Sequence, residues 1–283
     1  MKIDPLWDFD DLTATKARFE AALAAASAPE DQITCLSQLA RIAGLDQDFT
    51  LGETLLDQAR AIGPSPATQA RITLETARLA HAEGRAATAA TLYHQAATQA
   101  RNAGALDVAL EALNEQAKGV PTAVALAIVD QGETLTRNTP ALRHHLGPLY
   151  QQTGRSLFEE GDLSGALEMF QRDHALRRSL GQAAERHAAG LHIARTLRML
   201  GRFAETSDQL QNLVVELGPH GRGLGEVFEE RAELAHATGK PDEARQYALD
   251  ARARFEKRGM SADTHPSRFM RLAMLAGEAP NET

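Results

Sequence analysis

The sequence holds a single cysteine, Cys35, among 283 residues, so no internal disulfide can form, and no Cys/His spacing suits a structural zinc. Aromatic residues make up only 5% of the chain. Alanine is abundant instead, and small side chains that let helices pack closely suit an all-helical fold. No run of about 18 apolar residues occurs, so no membrane-spanning helix is expected. Positive charge is in deficit: 30 Lys plus Arg face 38 Asp plus Glu, for a net charge of −8 and a pI of about 5.7. A nucleic-acid binder shows a basic excess or stripe, so nucleic acid is disfavoured as a partner. Lysine is scarce, 5 against 25 arginines, a bias that codon usage in a GC-rich genome largely accounts for. Met1 to Asp11 is acidic and lacks an apolar core segment, so no secretory signal is expected and the cytoplasm is the expected compartment. With 43% apolar and 24% charged residues, the composition is that of a soluble folded chain.

What is present is a repeated helical pattern, clearest from Gly147 to Leu180. Tyr150, Gly154 and Leu157 stand at helical spacing before a turn at Gly161-Asp162, and Ala166 and Phe170 stand at helical spacing after it. Weaker copies turn at Gln47, Gly84, Gly119, Gly201 and Gly239. This pattern resembles the tetratricopeptide repeat, a helix–turn–helix unit with large and small apolar residues at fixed offsets. Successive turns lie 35 to 42 residues apart, longer than the common unit of about 34. Gln47 stands where such units usually carry glycine.

The resemblance implies an all-α, right-handed superhelix of about six helical hairpins with capping helices, built as one continuous array. The boundaries are an N-terminal arm and capping helix over 1–29, the repeats over 30–258, and a C-terminal capping helix and tail over 259–283. Thr13 is the expected N-cap of the first helix, which runs to about Ala26. Pro29-Glu30-Asp31 opens the second. A last helix is expected near Pro266 to Ala276.

In the family, the first helix of each hairpin lines a concave groove that binds peptides. Counting back six residues from each turn reaches Arg41, Arg78, Leu113, Arg155, Arg195 and Glu233. Four arginines in six positions form a candidate ladder, suited to bidentate contact with carboxylates. His81, Phe158, Arg198 and His236 lie three residues closer to their turns, and Asn114 joins the groove if the third repeat shifts register. The competing structural role is pairing of each arginine with a glutamate of a neighbouring helix, such as Glu75, Glu159 or Glu185. Glu226, Glu229, Glu230 and Glu233 make the last repeat acidic.

Enzymatic signals are few. Glu233 and His236 form one E-x-x-H, without the second pair and further glutamates that a carboxylate-bridged metal site needs. His187 and His192 are five apart, and the adjacent His144 and His145 point in different directions on a helix, so all are read as partly exposed helix histidines. Cys35 falls in an amphipathic helix and is expected in the core. The glycines at 221, 223 and 225 lack the G-x-G-x-x-G spacing of a nucleotide loop. Trp7 and Phe9 are expected to pack on the first helix, with binding to another copy or occupation of the groove as the alternatives.

The expected function is a non-catalytic scaffold or adaptor, without cofactor or metal, whose groove binds an acidic segment of a partner protein. The alternative is a sensor of a peptide or small ligand that acts on a separate effector.

Overall fold

Residues 3–278 are described in a computed structural model of the chain. Among them are fourteen α-helices and no strand. After a 3-10 turn at Asp4–Leu6 come α1 (Leu12–Ala25) and three hairpins: α2 (Pro29–Leu45) with α3 (Phe49–Ala61), α4 (Pro66–Ala82) with α5 (Ala86–Asn102), and α6 (Leu106–Gln116) with α7 (Thr122–Thr136). A second 3-10 stretch, Pro140–His145, leads into α8 (Leu146–Glu160) with α9 (Leu163–Ser179), α10 (Ala183–Met199) with α11 (Phe203–Leu217), and α12 (Leu224–Ala237) with α13 (Pro241–Lys257). The last helix is α14 (Pro266–Leu275). No helix is long and apolar enough to cross a membrane.

The chain divides into two compact units, Met1–Leu149 and Tyr150–Thr283. Within the first, α2 packs on α4 and α4 on α6; within the second, α10 packs on α12 and α12 on α14. In each unit, therefore, these helices pack directly on one another from hairpin to hairpin.

Local sequence explains where the helices begin. Proline opens α2, α4, α13 and α14, at the position where its missing N–H costs nothing. Asp48 caps α3 and Asp162 caps α9, each accepting a backbone N–H three residues on. The cap of α1 is Asp11, which accepts from the Ala14 amide at 2.9 Å, and not Thr13. Thr13 instead falls inside the first turn.

Packing rests on small residues. Ala70, Ala77 and Ala80 of α4 meet a matching alanine face of α5, formed by Ala89, Ala96 and Ala100, and none of the six is more than 1% exposed. Gly154 of α8 lets Phe170 of α9 approach so closely that a β-carbon would lie 2.7 Å from the ring. Larger side chains fill the remaining core, with Ile33, Leu36, Leu56 and Ile72 in the first unit and Phe255, Phe269, Leu272 and Leu275 in the second. Cys35 is buried, as the pattern implied, and burial raises its thiol pKa.

All six turn positions anticipated from the sequence have left-handed backbones. Five are glycines; the sixth is Gln47, with φ of 61°. The Asp48 amide donates to the Ala43 carbonyl and the Gln47 amide to the Gly44 carbonyl, the pairing that closes a helix through a left-handed residue. A non-glycine residue is strained there by about 1–2 kcal/mol, partly offset by the backbone freedom that glycine loses on folding. Gln47→Gly is therefore expected to raise stability by about 0.5–1 kcal/mol in denaturant unfolding.

His144 and His145 lie in the Pro140–His145 3-10 stretch rather than in an α-helix. Its tighter winding changes the angle between successive side chains. The two rings sit 4.1 Å apart, so the expectation that they diverge is corrected.

Candidate functional site

In the first unit the face formed by α2, α4 and α6 carries an ionic network around the buried Glu75. Glu75 of α4 has no side-chain exposure, and Arg78, one turn on, donates to it at 2.7 Å. Arg78 also reaches Glu111 at 3.1 Å and Glu115 at 3.4 Å, both on α6. Arg71 bonds Glu111 at 2.6 Å and Asp107 at 3.1 Å, and Lys118 holds Glu115 at 2.6 Å. Burial alone would raise the Glu111 carboxyl, but Arg71 and Arg78 outweigh it and hold it down to about 2. Burial opposes the charge of Arg78 as well, and Glu75, Glu111 and Glu115 reverse that and raise its pKa.

Arg41 of α2 is placed differently. Its guanidinium carbon lies 4.6 Å from the Trp7 ring centroid and 5.4 Å from that of Phe9. Burial and then the charge of Arg78 push its pKa down, against the pull of Glu75, Glu111 and Glu115. Asn114 donates to the Leu110 and His145 carbonyls at 2.9 and 3.0 Å, fastening α6 to the 3-10 stretch. Leu113 is core, 3% exposed. The helix α6 ends three residues before Gly119, a longer gap than in the other hairpins, and this shifts the register that led to Leu113. His81 is exposed, with its ring 6.5 Å from Tyr93.

In the second unit, α8, α9 and α10 enclose a cleft of about 230 Å³ lined by Arg155, Phe158, Glu159, Phe170, His192, Arg195 and Thr196. The His192 ring stacks on Phe170 with centroids 4.8 Å apart and planes 15° from parallel. Burial, then Arg195 and Arg155, push the His192 pKa down to about 4, so the ring is neutral at pH 7. The positive charge of the cleft therefore comes from its arginines. Arg155 is exposed, and its one hydrogen bond is to the Gln152 amide oxygen at 3.5 Å. Among the described residues it has no carboxylate partner, although Glu159 lines the same cleft. Arg195, with 41% of its side chain exposed, donates Nε to Glu230 at 3.3 Å, and Arg198 donates to the other oxygen of Glu230.

The acidic last repeat is compensated carboxylate by carboxylate. Arg258 holds Glu226, Arg268 holds Glu229, and Arg271 binds both oxygens of Glu233 at 2.6 Å. Glu233 of the E-x-x-H is thus engaged by a guanidinium, while His236 is exposed. A cleft of about 350 Å³ between α11, α12 and α13 also contains cations, but Arg231 there bonds Gln211 and Lys240 pairs with Glu243.

Sequence spacing thus locates Arg155, Phe158 and Arg195, which line one cleft, while Arg78, Arg198 and Arg195 itself are engaged in internal pairs. It missed Phe170 and His192 as cleft walls, and Gln38, Arg71, Glu111 and Glu115 as members of the network.

No protein-family model matches the chain, and no curated protein matches it in sequence. Solved structures do match in fold. Apo RapI is 12% identical, with a TM-score of 0.73 over 93% of this chain and 75% of RapI. A signal transduction ATPase with numerous domains from Pyrococcus horikoshii, which carries a tetratricopeptide repeat sensor, is 12% identical with a TM-score of 0.70. That match covers 95% of this chain but only 42% of the ATPase. Aspartyl phosphate phosphatase F from Bacillus subtilis is 9% identical, with a TM-score of 0.54 over 100% of this chain and 80% of that one. Identities this low establish the fold alone.

Two predictions separate structural from available arginines. Arg78→Ala is expected to cost about 3–5 kcal/mol in denaturant unfolding, because it strands buried carboxylates. Arg155→Ala is expected to change stability by no more than about 0.5 kcal/mol. Acid should act in two windows. His192 and His174 have lowered folded pKa values, so the unfolded chain binds their protons first, and stability falls as pH drops from 6.5 toward about 4. The Glu111 contribution is present above its ordinary value of 4.5 and is lost as pH falls toward about 2. Thermal melts of His192→Gln between pH 7 and 5 should show a shallower decline than wild type, with the share from His174 remaining.

Proposed function

With the tetratricopeptide-repeat fold as premise, we propose that this chain is a non-catalytic interaction scaffold that receives an acidic segment of a partner protein. The cleft between α8 and α10 is the anionic subsite. The observation that carries this reading is Arg155, exposed and among the described residues without a carboxylate partner, in a cleft that Arg195, Phe158, Phe170 and neutral His192 also line. A planar guanidinium with open donors takes a carboxylate in bidentate fashion, and the aromatic lining takes an apolar neighbour of that carboxylate.

Size supports a side chain as the occupant. The cleft of about 230 Å³ lies below the roughly 300–1,000 Å³ typical of small-molecule sites. Arg155 and Arg195 would orient the acid, and flanking residues of the segment would lie along the groove face.

Affinity capture from the native lysate, with wild type and Arg155→Glu compared, tests the reading. A charge-assisted hydrogen bond contributes about 1.5–3 kcal/mol, so a captured partner should be retained roughly ten- to a hundredfold less by the variant. The variant's melting curve should be unchanged. Equal capture of the same proteins by both would place the binding face elsewhere. Arg78 is unsuitable for this comparison, because its removal disturbs the fold.

A further inference from the structure

From the contacts of the N-terminal arm we infer that the groove face of the first unit is a receptor for an aromatic–acidic segment, and that the chain's own residues 3–11 are its resident occupant. This deepens the scaffold reading and rests on it for the acidic character of the partner segment.

The arm does not simply cover α1. Trp7 packs edge-on against Phe19 of α1 at 5.6 Å, but its indole N–H donates to Gln38 of α2 at 2.9 Å. Gln38 in turn donates to Glu75 at 3.2 Å, the carboxylate that Arg78 neutralises. The arm is thereby joined to the buried network through one side-chain amide. Phe9 stacks on Trp7 at 4.8 Å and 14°, and both rings lie within cation–π reach of Arg41. Phe9 nonetheless remains 62% exposed. A ring recruited only to fill the core would not be left in solvent; one that covers a cation on a groove face is.

The arm is also anchored by Ile3, Leu6 and Trp7, which pack against Phe19 of α1 and Leu39 and Ile42 of α2, while its acids bond locally: Asp8 exchanges two hydrogen bonds with Thr15, both 2.9 Å, and Asp11 caps α1. Its sequence, Trp7-Asp8-Phe9-Asp10-Asp11, combines two rings with three acids. The rings are what Arg41 and Gln38 contact, while the acids bond within the arm and α1. A partner segment with an indole donor and a second ring would make the Gln38 and Arg41 contacts after displacing the arm's rings.

The test uses the full chain with Trp7→Ala/Phe9→Ala and a fluorescein-labelled synthetic peptide of residues 3–12, followed by fluorescence anisotropy. A tethered arm acts at an effective concentration in the millimolar range, so an arm that stays closed requires a peptide Kd below about 1 mM. Saturable binding in that range is expected for the double variant, at least tenfold weaker binding for wild type, and loss of binding when Arg41→Ala is added. Equal binding to wild type and variant, or none to a folded variant, overturns the inference. Arg155→Glu added to the double variant should leave peptide binding unchanged, which separates this site from the cleft in the second unit. If the double variant does not fold, Arg41→Ala alone decides the matter, because Trp7 is the sole tryptophan. A red-shifted emission with at least twofold greater acrylamide quenching supports the resident arm, and an unchanged emission overturns it.

Discussion

Glu75 is a carboxylate with no exposed surface in the middle of α4, and the first unit's groove face is arranged around keeping its charge compensated. A buried ion without a partner costs several kcal/mol, so each group added to neutralise it must itself be satisfied. Arg78 neutralises Glu75 and needs further acceptors for its remaining donors; Glu111 and Glu115 supply them from α6. Those carboxylates recruit Arg71 and Lys118, and Gln38 closes the other side from α2. Three first helices are thus tied by polar contacts whose geometry fails if any one of them slides. Close alanine packing brings the helices together, and the ionic network fixes their register.

The same constraint decides what each groove arginine does. An arginine on one first helix points toward the next, so its role depends on the residue that the next helix presents. Arg78 meets Glu111 and Glu115. Arg195 meets Glu230, and Arg198 shares it. Arg155 meets His192, which burial keeps neutral, and among the described residues it has no carboxylate partner. Arg41 lies near Glu75, but Gln38 and Arg78 bond that carboxylate, and rings cover the guanidinium instead. One position in the repeat therefore serves as a lock, a shared bridge, a stacked cation or an open donor.

Much of the fold was legible because helix periods and turn residues are local. The six turns could be placed because a left-handed residue must end each first helix, and even Gln47 was located by its position between two amphipathic stretches. Local reasoning failed where two local signals competed, as with Asp11 against Thr13, and where a stretch wound more tightly than an α-helix, as at His144 and His145. It failed also at Leu113, which is core, while Glu111 and Glu115 on the same helix carry the ion pairs. The site was legible only by half. Spacing showed which arginines share a face, but their partners lie on another helix.

A signal for those partners was nonetheless present. The ion pairs that join one first helix to the next link residues 32 to 40 apart, from Arg198 with Glu230 to Arg71 with Glu111, about one repeat length. The informative question is therefore whether an acid stands one repeat beyond each arginine. For Arg78 and Arg195 it does. For Arg41 the window holds only Glu75, already bonded by Gln38 and Arg78. For Arg155 the window runs over 187–195, HAAGLHIAR, and contains no acid at all. Arg155 is exposed, and among the described residues it pairs with no carboxylate. The arrangement of charge along the repeats, rather than the number of arginines, is what sets Arg155 apart from the other members of the ladder.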